Sequence, residues 1–127
     1  MEYFNVIAAG VATWVFGAVW YMAIAKGWTV ASGLTPETVN TKNPVPHIVS
    51  LISAIIVAGM LRHVFAQAGI DTIGKALLTG LGLGAFVVSP WIINTVMYGQ
   101  RDKRLIWMDC GYPVIGMAIM SVVLTLF

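Results

Sequence analysis

Residues Phe4 to Ala25 run for 22 positions without a charge, and this feature restricts the chain most. At about 1.5 Å of rise per residue, such a run crosses a hydrocarbon layer about 30 Å thick. No water in that layer can satisfy a backbone N–H or C=O, so the segment must bond to itself as a helix. Glu2 stands where a secretory leader would carry basic residues, and the run exceeds a leader's apolar core, so a retained first span is expected. Three further apolar runs follow, and the four spans fall at about 4–25, 46–65, 76–98 and 105–127. They are continuously apolar rather than alternating, which argues against a β-barrel. The expected fold is all-α: an integral membrane four-helix bundle forming one transmembrane domain over residues 1–127.

The connections carry the polar residues. Lys26 is expected to end span one, with Trp20, Tyr21 and Trp28 as an aromatic belt at one interface. Within residues 27–46, Thr35-Pro36-Glu37 reads as a helix start: an N-cap, a proline in the first turn and an acid near the positive dipole end. A short interfacial helix there would stop at Asn43-Pro44-Val45-Pro46, and Pro46 would open span two. Arg62 and His63 are expected to stop span two, leaving 62–75 as a polar connection. Ser50, Ala54 and Ala58 repeat every four residues, and Gly80 and Gly84 repeat likewise in span three, both as faces for close helix contact. Pro90 should kink span three by freeing the Phe86 carbonyl, and Pro113 frees that of Asp109.

Four spans put both chain ends and the 62–75 connection on one side, with Arg62 and Lys75. The other side has Lys26, Lys42, Arg101, Lys103 and Arg104, so the positive-inside rule places 26–46 and 99–104 in the cytoplasm and both termini outside. Whichever way the chain lies, four helix ends share one membrane face. Tyr21, His47, Asn94, Asp109 and Tyr112 all sit within about two turns of that face, Asp109 about 7–8 Å down its helix from Arg104. An acid at the bilayer midplane costs about 2.5–3.5 kcal/mol, and less nearer an interface. No basic residue stands three or four positions from Asp109, so its partner must come from elsewhere: His47, Asn94, Tyr21 or a folded-back Arg101.

Plainer readings stand beside these. Asp109 reads first as a structural acid tying span four to spans two and three. His47, following Pro46, reads as interfacial, and Asn94 and Thr95 as satisfying backbone loosened near Pro90. Arg101, Lys103 and Arg104, with Trp20 and Trp28, read as headgroup anchors. One intramembrane acid and two distant histidines make no metal-ligand set, and a single cysteine, Cys110, allows no disulfide within the chain. No cofactor is implied. A formal net charge of only +2 gives no basic stripe for nucleic acid, so the bilayer is the expected partner.

Certain short motifs carry a resemblance: Asn5, Gly17-Ala18-Val19-Trp20-Tyr21, Trp28, Asn43-Pro44-Val45-Pro46, Asn94, and Asp109-Cys110-Gly111-Tyr112 with Gly116. Together they resemble the bacterial membrane proteins grouped as domain of unknown function 1761, along nearly the whole chain. The resemblance implies a four-span bacterial inner-membrane protein and no established reaction. Pro113 is read as a departure from it.

Three functions compete. The first is a non-enzymatic protein acting by helix–helix association, as a homo-oligomer or an accessory subunit of a membrane complex, through the small-residue faces. The second is a small proton- or cation-linked transporter or channel using Asp109. Small multidrug-resistance exporters share this size and span count, but need an acid deep in span one, and here Glu2 lies only at its mouth. The third, a lipid-active enzyme pairing Asp109 with His47, lacks a nucleophile; the balance leans away from an enzyme.

Overall fold

A computed structural model describes residues 3–34 and 43–126. Its elements are α1 (Phe4–Ala23), α2 (Ala25–Ala31), α3 (Val45–Ala68), α4 (Ile73–Leu83), a π-helical turn (Gly84–Val88), α5 (Ser89–Tyr98) and α6 (Arg104–Leu126). α4, the π turn and α5 form one rod, so four rods are long and apolar enough to cross a membrane. The protein is an all-α, multi-pass membrane bundle.

The rods end where backbone geometry ends them, and charges do not stop them. α1 breaks at Ile24 (φ −106°, ψ 12°) and continues as α2, so Lys26 lies inside a helix. The chain leaves α2 at Gly33, whose φ of +78° suits a residue without Cβ. A short helix thus stands at Ala25–Ala31. The helix start expected at Thr35-Pro36-Glu37 lies outside the described residues, as do Glu2 and Lys42. α3 runs past Arg62 and His63 to Ala68 and is closed by left-handed Gly69 (φ 71°), with Ile70 N–H donating to the Phe65 carbonyl. The expected 62–75 connection shrinks to a tight turn, because Thr72 accepts from Lys75 N–H and caps α4. The rod widens just before Pro90: the π-helical segment ends at Val88, and the Gly84 carbonyl accepts both the Ser89 backbone N–H and the Ser89 hydroxyl, the latter at 2.6 Å.

Packing follows the small residues, as it must where lipid offers no hydrophobic drive to bring helices together. α6 lies between α1 and the α4–α5 rod, while α3 packs chiefly on the other side of α1. A Cβ on Gly80 would stand 2.5 Å from the Met117 carbonyl, and one on Gly84 would stand 2.5 Å from the Pro113 carbonyl. Those two glycines therefore let α6 touch the third rod backbone to backbone. Gly10 does the same for α1 against Ile55, and Ala54 and Ala58 are buried on α3. Trp14 Nε1 donates to Ser50 Oγ and to the His47 carbonyl, both at 3.1 Å, pinning the start of α3 to α1. Val6, Ala9, Leu61, Phe65, Met120 and Leu124 fill the core towards the chain ends, where Asn5 Nδ2 also donates to the Leu124 carbonyl.

Candidate functional site

The polar end of α1, α2 and the first half of α6 meet at the other end of the bundle. Ala31, Val96, Leu105 and Met108 form a small core there, with Ile24 and Trp28 against it, so α2 is held across the start of α6. α6 itself begins under Asp102. That carboxylate accepts from the Arg104 backbone N–H at 2.9 Å and meets Arg104 Nη2 at 2.7 Å. The Arg104 guanidinium, and then its backbone N–H, hold the Asp102 carboxyl down at about 2.

One and a half turns further on stands Asp109, half-buried. The Tyr21 hydroxyl and Trp28 Nε1 both donate to its Oδ1, each at 3.0 Å. Its second oxygen, Oδ2, accepts nothing from the described residues. Pro113 has no N–H to offer the Asp109 carbonyl, so the backbone there is also loosened.

Aromatic rings enclose this carboxylate. Tyr21 meets Trp28 edge to face at 6.0 Å and Tyr112 at 5.9 Å. Tyr112 stacks on Phe16 at 6.2 Å, and Trp20 meets Trp107 edge to face at 6.5 Å. Two glycines make room. A Cβ on Gly17 would stand 2.7 Å from the Tyr112 ring, and one on Gly111 would collide with the Trp20 ring. Trp20 Nε1 also donates to the Met108 carbonyl at 2.7 Å. Tyr21 and Trp28 thus meet the acid through polar groups at their ring edges, within a cluster of rings whose π faces can attract a cation.

Of the four partners expected for Asp109, Tyr21 lies on it. His47, Asn94 and Arg101 are exposed, and none of them donates to it. Depth alone suggested them; α3 lies mainly beyond α1 from α6, and Asn94 turns outward from the α5 face that buries Val96. Trp20 and Trp28, expected at the headgroups, are half-buried with their indole N–H groups engaged inside the protein. Arg101, Lys103 and Arg104 are exposed at the connection. Trp28 as a donor to Asp109 was missed by sequence reasoning, because Tyr21 and Trp28 stand on either side of the break at Ile24 and their common direction depends on that bend. Cys110 offers its thiol to the Ser89 carbonyl at 3.7 Å. Among the described residues, no three of His, Cys, Asp and Glu gather as a metal site.

Known proteins supply the remaining findings. The family described as "Protein of unknown function (DUF1761)" matches residues 4–125. The chain is also 30% identical over 109 residues to the spermidine export protein MdtI of Cronobacter sakazakii, covering 85% of this chain and 89% of that protein. No solved structure matches it.

Proposed function

The chain belongs to the DUF1761 family of unknown function, and from its Asp109 site we propose that it is a small transporter exchanging protons for organic ammonium cations. One observation carries the reading: two donors fix Oδ1 of an intramembrane carboxylate among aromatic side chains, while Oδ2 accepts from none of the described residues. A purely structural acid would be expected to use both oxygens on protein, since an uncompensated charge in the membrane is costly. An open oxygen within a cluster of aromatic rings suits an alkylammonium, which would pair with the carboxylate and lie on the rings. Proton and amine would then compete for the same oxygen, and that competition couples their movement.

The similarity to a spermidine exporter supports an amine as cargo. Association through small-residue faces is less favoured, because Gly80, Gly84, Ala54 and Ala58 are occupied within the chain. The basic residues Lys26, Arg101, Lys103 and Arg104 support an inner-membrane orientation with the Asp109 end cytoplasmic and both termini outside.

The test is transport by the purified chain in proteoliposomes loaded with radiolabelled spermidine under an imposed proton gradient. Gradient-driven efflux and an opposing change in internal pH are expected, and both should vanish in Asp109→Asn. Wild-type rates in that variant would overturn the proposal.

A further inference from the structure

The opposite end of the bundle carries a second feature that combines charge with apolar surface. A crevice of about 270 Å³ opens there, walled by Arg62, Phe65, Ile70, Asp71, Leu124 and Thr125. It lies where α3 finishes at Ala68, α4 starts at Ile73 and α6 ends at Leu126, so three rod ends set it at headgroup depth.

Arg62 lies over the Tyr3 ring, its guanidinium carbon 5.3 Å from the ring centre. Cation–π contact leaves the guanidinium N–H donors available to oxygen acceptors. Among the described residues, Arg62 has no ion pair or hydrogen bond. Asp71 meets Lys75 at 3.6 Å, but the two side chains are 79% and 61% exposed, a pairing that screening makes weak. One crevice therefore presents a cation with open donors and an anion with open acceptors above an apolar floor, and the two are not bonded to each other.

We propose that this crevice seats the headgroup of an aminophospholipid, phosphatidylethanolamine. The phosphate takes the Arg62 guanidinium, whose fork matches two of its oxygens. The primary ammonium takes Asp71, and the acyl chains leave over Phe65, Ile70 and Leu124. A glycerol headgroup brings no cation for Asp71, and a choline headgroup brings one without N–H donors. Arg62 thus holds the phosphate that all these lipids share, Asp71 selects the primary amine among them, and the site stands at the other end of the molecule from Asp109, independent of transport.

The experiment is native mass spectrometry of the detergent-purified full chain, titrated separately with dioleoyl phosphatidylethanolamine, phosphatidylglycerol and phosphatidylcholine. One phosphatidylethanolamine should be retained at about fivefold lower concentration than either competitor, or about 1 kcal/mol at 1.4 kcal/mol per decade. Arg62→Gln should weaken retention of all three lipids. Asp71→Asn, at an exposed position that does not threaten folding, should remove the preference while leaving the far-UV circular dichroism unchanged. Equal retention of the three lipids by the wild type, a preference for phosphatidylglycerol, or a preference that survives Asp71→Asn would each overturn the proposal.

Discussion

Gly84→Ala should be one of the most damaging single-methyl additions in this protein. The new Cβ would lie 2.5 Å from the Pro113 carbonyl oxygen and 2.6 Å from Val114 Cα, both backbone atoms that no rotamer change can move. Restoring ordinary contact requires α6 to retreat by about 1 Å, and a gap of that size forfeits a quarter to a half of the dispersion well at each contact it opens. Overpacking of this kind costs about 1–3 kcal/mol. Against it stands the gain from replacing glycine in a helix, about 0.5–1 kcal/mol. The net expectation is a loss of up to about 2.5 kcal/mol. Gly82 provides the control: it lies on the same rod, and nothing stands within 4 Å of its added Cβ, so Gly82→Ala should be neutral or stabilising. Equilibrium unfolding in mixed micelles, followed by tryptophan fluorescence, measures both. Because Pro113 lies one turn beyond Asp109, Gly84→Ala should also lower amine transport. If it unfolds no more readily than Gly82→Ala, the close backbone approach of the third rod to α6 is wrong.

Other outcomes follow from named contacts. In a double-mutant cycle of Trp28→Phe with Asp109→Asn, unfolding free energies should show a coupling of about 1.5–3 kcal/mol, the scale of a hydrogen bond to a charged group; strict additivity would count against that bond. Gln100 has a φ of +53°, so Gln100→Gly should raise stability by up to about 1 kcal/mol in the same unfolding assay. Arg104 holds the Asp102 carboxyl below its ordinary value, so the stability it contributes is present above about pH 4 and is lost as pH falls towards 2. Unfolding midpoints of wild type and Asp102→Asn should therefore differ at pH 5 and converge near pH 2.

Hydropathy alone revealed the four rods, because hydrocarbon punishes an unpaired backbone group whatever the neighbours do. It revealed Asp109 for the same reason: an acid within an apolar run stands out by its transfer cost. Depth was equally readable, since residues counted from a charged connection convert directly to distance along a helix. That count puts Tyr21 at the depth of Asp109. Rod ends were less legible. Arg62, His63 and Lys26 suggested stops, but a charge at a membrane surface can extend to water without breaking a helix. The ends are set instead by the dihedral angles of Gly69, Gly33 and Ile24.

Azimuth belonged to the tertiary structure. His47, Asn94 and Arg101 share Asp109's depth, but which of them faces it depends on how each rod is rotated about its axis. That rotation is decided by close contacts between distant residues: Gly80 and Gly84 against α6, Gly17 against Tyr112, and Gly111 against Trp20. These contacts put α6 between α1 and the third rod, set α3 mainly beyond α1, and bring the Trp28 indole onto the carboxylate. Transfer energy depends on what each residue is, and the sequence states that outright. Rotation depends on which pairs of surfaces fit, and only the folded chain brings those surfaces together.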